Sequence, residues 1–342
     1  MSITAAGRWL LHSGIQEPCG GFARWYDAET KKNKPVSTEI SGYGASGLIY
    51  LFKITGDQEY LDAANRAAQF LAGTWDRQAR AFPFEWPSPS AESAPLAYFF
   101  DSGIIVRGLL AVWRETGDDS LIELARAASQ AMVRDFRSES GDYHPILTLP
   151  EKSPLARSSK WSRGPGCYQL KSAIAWWEVA EISGDAGLRD AYLEMAEQAM
   201  SCHACFLRQA NGRYDTMDRL HAYLYFLEGL TPVMDRAECR PVCAEGLASV
   251  ERLLAETEQT FVRSDVLAQL LRARRLLDND VRGDDRPRCR ELQAFQDASG
   301  GFWFGRRDGR MSPQLNPVST LFAVQALQLE TENTPPCLQM LI

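Results

Sequence analysis

Along most of the chain apolar residues recur every three or four positions, with polar residues on the opposite face, the mark of amphipathic helices. After the Gly56-Asp57 turn, for example, the apolar positions are Tyr60, Leu61, Ala64, Ala67, Ala68 and Leu71. The same reading predicts about twelve helices, near 3–12, 40–55, from that turn to 75, 100–116, 119–137, 167–182, 187–207, 217–230, 240–256, 262–277, 288–297 and 317–329. No stretch alternates regularly enough to predict a strand.

Two kinds of connection separate these helices. Ile-Thr-Gly-Asp57, Glu-Thr-Gly-Asp118 and Ile-Ser-Gly-Asp185 are tight corners 61 and 67 residues apart. Their glycine suits a left-handed helix C-cap and their aspartate can cap the next helix. The other connections often run to twenty residues or more, so short and long loops lie on opposite faces of a set of antiparallel hairpins. The even-numbered helices are the less charged, as in Gly-Ile-Ile-Val-Arg-Gly-Leu-Leu-Ala-Val-Trp113 and Ser-Ala-Ile-Ala-Trp-Trp177. Helices apolar all round are enclosed ones. Finally, Gln16-Glu-Pro-Cys-Gly-Gly-Phe22 returns as Gln296-Asp-Ala-Ser-Gly-Gly-Phe302, each followed by Pro-Val-Ser-Thr. A repeat that opens and closes a chain predicts a ring whose last unit meets its first. The expected fold is therefore all-α, a single (α/α)6 toroid domain over residues 1–342, with a cup on the long-loop face.

Gln-x3-Gly-Gly-Phe before a helix opening near Ser-Thr resembles the repeat of the terpenoid cyclase and protein prenyltransferase toroids. Gln296 and Phe302 are similar to the glutamine–aromatic pair of the squalene cyclase repeat. The whole layout, with its Thr-Gly-Asp corners, also resembles glycan-processing toroids: unsaturated glucuronyl hydrolases, glucuronyl epimerases and N-acylglucosamine 2-epimerases. These resemblances imply the scaffold and leave the chemistry open. The Asp-x-Asp-Asp acid motif of protonation-initiated cyclases is absent, and Asp278-Asn-Asp280 and Asp284-Asp285 read as a solvated, Arg-rich turn. A zinc prenyltransferase would need an Asp, Cys and His set on inner helices, whereas Cys202-His203-Ala-Cys205 ends an expected outer one.

Composition narrows the classes further. With 45% hydrophobic and 24% charged residues, the 342-residue chain has ample material for a globular core. A net charge of −7 without a basic face argues against nucleic-acid binding. No run reaches the roughly 18–20 apolar residues of a membrane span. The start lacks a signal-peptide pattern, so a cytoplasmic location is expected. Of eight cysteines, Cys202, Cys205, Cys239 and Cys243 offer a zinc-like set, but spacings of three and four also suit small buried residues on one helix face, the stronger reading. No Walker loop, dinucleotide fingerprint, His-Glu-x-x-His or Gly-x-Ser-x-Gly occurs, and no cofactor or metal is called for.

Candidate chemistry gathers where inner helices begin. Asp101 follows Tyr98-Phe99-Phe100 and reads either as an N-cap or as an acid whose pKa an aromatic wall would raise. Glu39 holds the matching place in the first unit, with Tyr43 a turn further on; Asp265, in the fifth, reads as a cap. His221 opens the fourth inner helix, and His144 lies in a loop over the same face. The loop aromatics Trp25, Trp86, Trp161 and Trp303 could stack on sugar rings. Arg24, Arg107, Lys160, Arg163, Arg219 and Arg306 sit near the expected rim, which would favour an anionic group. Together these features predict an enzyme acting on an acidic or oligomeric sugar, with Asp101, Glu39 and His221 as catalytic groups. Tyr43, Trp25, Trp86, His144, Trp161, Arg163, Arg219 and Trp303 are the expected binding residues. A terpenoid cyclase or prenyltransferase with an apolar cup, and a non-catalytic glycan- or protein-binding toroid, are the alternatives. A small molecule or oligosaccharide is the expected partner; oligomeric state is not legible.

Overall fold

A computed structural model describes residues 3–87, 94–158, 160–277, 284–331 and 337–342. Its helices are α1 (Ile3–His12), α2 (Thr38–Thr55), α3 (Gln58–Thr74), α4 (Phe99–Thr116), α5 (Asp119–Asp135), α6 (Leu170–Ser183), α7 (Ala186–Arg208), α8 (Gly212–Gly229), α9 (Cys239–Thr257), α10 (Ser264–Leu277), α11 (Arg286–Gln293) and α12 (Pro317–Leu329). Each even-numbered helix packs against the next, and α12 returns to α2, closing an inner ring inside the odd-numbered helices. None is long and apolar enough to cross a membrane.

The corners form as their sequences dictate. Gly56, Gly117 and Gly184 are left-handed C-caps, each amide donating back to the last helical turn at 2.8 Å. Asp57, Asp118 and Asp185 then cap the next helix, accepting from the amides of Glu59, Ser120 and Leu188. The opening and closing motifs are built alike. Gln16 Nε2 donates to the Gly20 carbonyl at 2.9 Å and Gln296 Nε2 to that of Gly300 at 3.0 Å. Phe22 N–H donates to Ser41 Oγ on α2, and Phe302 N–H to Thr320 Oγ1 on α12. Gly20 lies against the Arg66 carbonyl of α3, whereas Gly300 lies against the Ala5 carbonyl of α1. The last unit therefore docks on the first through the contact the first makes with the second.

The inner helices approach closely at glycines. A Cβ on Gly108 would stand 2.6 Å from the Gly42 carbonyl oxygen, and one on Gly103 2.4 Å from that of Ser172. On the short-loop side, residues 337–342 fold into the centre of the ring. Arg107 of α4 donates to the Leu338 and Leu341 carbonyls, Lys171 of α6 and Arg272 of α10 to that of Ile342, and Gln325 of α12 to that of Met340. Glu228 and Glu178, both buried, balance these cations. Arg107, expected near the cup rim, thus serves the opposite end.

Two helix boundaries and the conformation of the long loops differ from expectation. α8 starts at Gly212 rather than 217, because the polar turn Gly-Arg-Tyr-Asp hides its first residues from a hydrophobic count; the Asn211 amide donates to Asp215 there. α11 stops at Gln293, where the closing motif takes over. The long loops also hold antiparallel strands of two or three residues, too short to show alternation. Tyr26–Asp27 pairs with both Lys32–Asn33 and Gln314–Leu315, joining the first and last loops. Phe261–Arg263 pairs with Gly305–Arg307, which pairs with Arg310–Met311.

Asp278–Asp280 of the expected solvated turn falls outside the described residues. Asp285 is not simply solvated but is ion-paired with Arg274. Cys239 and Cys243 are buried, Cys202 and Cys205 exposed; among the described residues no group of three or more His, Cys, Asp or Glu side chains could hold a metal ion.

Candidate active site

On the long-loop face a cavity of about 270 Å3 opens between the N-terminal ends of the inner helices. It is lined by Glu39, Phe84, Tyr98, Phe100, Asp101, Pro145, Trp161, Ser162, Tyr168, Gln169, His221, Tyr225 and Arg263. The ring brings Glu39 from α2, Asp101 from α4 and His221 from α8 to one space.

Asp101 is not an N-cap. α4 begins at Phe99 behind Tyr98, which makes no side-chain cap, so Asp101 stands inside the first turn. Its carboxyl is buried, and Oδ2 accepts no hydrogen bond from any described residue. Burial raises its pKa well above the ordinary range, the neighbouring Glu39 raises it further, and Arg24 opposes both. Burial likewise lifts Glu39 to about 7 against the pull of Arg24. Two carboxyls facing one enclosed space resist ionising together, and desolvation penalises each charge. Arg24 is itself ion-paired with Glu85 and stacked over the Phe84 ring at 4.6 Å.

His221 is held from behind. Nδ1 lies 2.6 Å from Gln269 Oε1 and 3.6 Å from Asp265 Oδ2. Gln269 turns its amide nitrogen to the His221 carbonyl, and a carboxylate can only accept, so the Nδ1 site carries the proton. Nε2 is then the lone-pair nitrogen. Burial, followed by the charge of Arg263, lowers the imidazole pKa to about 4, keeping it neutral. Asp265, expected as a cap, instead pairs with Arg263 through two bonds of 2.7 and 3.0 Å and is held below the usual carboxylate range by that guanidinium against the opposing effect of burial. Arg263 also donates to Asp218 at 2.8 Å.

The other expected residues divide. Trp161 lines the cavity, packed edge-on against Tyr168. Tyr43 lies buried beneath it, against Phe322 and close to Tyr225. Arg163 ends the short 3-10 turn Trp161–Arg163, near enough to Tyr98 for its charge to act there. Trp25, Trp86, His144 and Trp303 are not among the lining residues. Trp86 is exposed in the strand pair with Val36. Trp25 is half-buried beside Arg24, His144 is fixed by its backbone to Phe136, and Trp303 bridges to Leu315. Arg219 is buried scaffold, bonded to Asp215 and the Phe206 carbonyl. Arg306 pairs with Glu291 and stacks on Phe295, away from the cavity.

Sequence reasoning passed over Tyr168, Gln169, Tyr225 and Arg263 among the lining residues. Tyr225 had a signal, one helical turn after His221. Arg263 had another, only two residues before Asp265, the carboxylate it pairs with.

No protein-family profile matches the chain, and no curated protein is detectably similar to it. Solved structures are similar in shape. Cellobiose 2-epimerase from Bacillus thermoamylovorans B4167 superposes with a TM-score of 0.71 at 9% identity, covering 96% of this chain and 99% of that one. The chain is an (α/α)6 toroid. A D-mannose isomerase matches this toroid at TM-score 0.71 and 11% identity, with 96% of both chains covered. The unsaturated glucuronyl hydrolase from Bacillus sp. GL1, responsible for the degradation of glycosaminoglycan, matches at 0.65 and 14%, covering 96% of the toroid and 95% of the hydrolase. Epimerases, isomerases and hydrolases of sugars thus share its fold.

Proposed function

We propose that the cavity is the active site of a sugar-transforming enzyme that cleaves a glycosidic bond by acid–base chemistry. One observation carries this reading: Asp101, whose Oδ2 is buried and accepts no hydrogen bond from the described residues, lines the same cavity as Glu39. Glycoside hydrolysis needs one carboxylic acid to protonate the leaving oxygen and one carboxylate to activate water or attack. Burial and the neighbouring Glu39 push the Asp101 pKa well up, which favours its protonated form; Glu39, at about 7, is half ionised near neutrality. Environments that separate two such groups assign the roles: Asp101 the acid, Glu39 the base. Phe84, Phe100, Trp161, Tyr168 and Tyr225 supply apolar faces for a pyranose.

The unit held here is a neutral sugar, contrary to expectation from the rim arginines. Arg263, the one arginine among the lining residues, is engaged by Asp265 and Asp218, and Arg24 nearby by Glu85; Arg163 lies outside the lining, so none of the three is placed to take a uronate inside the cavity. A cyclase with an apolar cup is disfavoured by the same ionisable lining.

The test is a panel of neutral di- and oligosaccharides with product analysis, followed by Asp101→Asn. Turnover should fall about 10²–10⁴-fold, the range for removing a general acid, with sugar binding retained. Full turnover in that variant rules out Asp101 as the acid, and binding without turnover across the panel leaves a non-catalytic glycan receptor.

His221 supports a second reading. A neutral imidazole with Nδ1–H engaged and Nε2 toward a sugar could remove the proton beside a carbonyl, as epimerisation requires. Solvent deuterium entering that carbon without bond cleavage, and lost in His221→Asn, would select this reading over hydrolysis.

A further inference from the structure

A larger groove, about 640 Å3, lies beside the cavity on the same face, lined by Phe261, Phe304, Arg307, Asp308, Arg310 and Met311 among others. The two spaces share a wall. Phe261 lines the groove and Arg263 the cavity, two residues apart on one strand, about 7 Å by strand rise. The Arg263 guanidinium rests 4.5 Å from the centre of the Phe304 ring, which lines the groove.

The charge there is unusual. Arg307 and Arg310 stand directly opposite each other in the hairpin, a pairing that costs stability when nothing lies between like charges. No described carboxylate is within ion-pairing distance of either, or of nearby Arg213, which donates to Thr260 Oγ1. Asp308, the one acidic residue in the lining, is engaged by the Tyr214 hydroxyl at 3.1 Å. Arg307 lies over both the Tyr214 and Phe261 rings, at 4.6 and 4.8 Å. An unpaired guanidinium fixed on two aromatic faces, with a second across the hairpin at Arg310, is suited to an anionic sugar ring: the rings pack on its apolar face and the arginines take its acid group.

We propose that this groove is a second subsite that binds an anionic unit, a uronate or a sulfated pyranose, of a chain whose adjoining neutral unit occupies the catalytic cavity. The inference rests on the sugar-processing reading of that cavity. It places the anionic preference outside the cavity, whose one lining arginine, Arg263, is already paired.

The test compares, by calorimetry with the full chain, three trisaccharide probes of matched length: neutral, uronate-bearing and sulfated. One anionic probe should bind at least about tenfold tighter than the neutral one, and that preference should vanish in the Arg307→Gln/Arg310→Gln double variant while neutral binding stays unchanged. Arg307→Lys, which keeps the charge, should retain part of it. Equal binding of all three probes, a preference that survives the double variant, or complete displacement by the same concentration of inorganic sulfate would each overturn the proposal. Measuring the same preference in Asp101→Asn keeps the two readings apart, since the groove should discriminate whatever becomes of turnover.

Discussion

At the level of single side chains, Glu39 links function to pH and to stability. A carboxyl held at about 7 inside the fold, against an ordinary value of 4.5, binds more protons folded than unfolded between those values. Stability therefore declines as pH rises from about 4.5 through 7. Glu39→Gln removes that charge and should stabilise the protein at pH 8 by on the order of 2 kcal/mol while abolishing turnover. Urea denaturation at pH 4 and pH 8 checks it: the gain should be confined to the higher pH. Arg263 offers a second test. Arg263→Met withdraws a cation from His221 and leaves Asp265 unpaired beside it, so the imidazole pKa should rise from about 4, read by NMR titration. Loss of the buried pair should cost about 3–5 kcal/mol. Asp101 and Glu39 were legible in the sequence because a carboxylate at a helix start next to aromatics is a local pattern. Arg263 was only half legible, since Asp265 is two residues away but its other partner, Asp218, comes from a different inner helix.

Among the elements, the corners and the closing motifs were readable because each is settled within a few residues. Gly56 and Gly300 show how differently two left-handed glycines can be constrained. An added Cβ at Gly56 meets open space, whereas at Gly300, with φ of +106°, it would stand 2.2 Å from the Ala5 carbonyl oxygen. Gly56→Ala should cost about 1 kcal/mol, the backbone preference alone. Gly300→Ala should cost at least about 1–3 kcal/mol more, because α1 must move away. Thermal melts of the two variants under one buffer decide it. The mouth strands and the first turn of α8 escaped sequence reading because neither shows a hydrophobic period: the strands are two or three residues long and the turn is polar.

For the molecule as a whole, the alternation of short and long connections was enough to foresee a ring and which face carries the cup. The depth of the cup was not legible, because it depends on how closely inner helices approach. Gly103, two residues from Asp101, sets one such approach against Ser172. Gly103→Ala should force α4 and α6 apart at a cost of about 1–3 kcal/mol and lower kcat more than it raises KM, since the acid shifts while the aromatic wall remains. Denaturation and steady-state kinetics on the same preparation separate the two effects.

The tail threaded among Arg107, Lys171, Arg272 and Gln325 has a further consequence. Among the described residues it stoppers the annulus from below, so the cavity is open toward the long-loop face and closed at the far end of the ring. A polymer cannot be reeled through it. If the cavity cleaves glycosidic bonds as proposed, a polymer would have to offer it a terminus, lose its end unit and back out, which predicts trimming from an end rather than scission mid-chain.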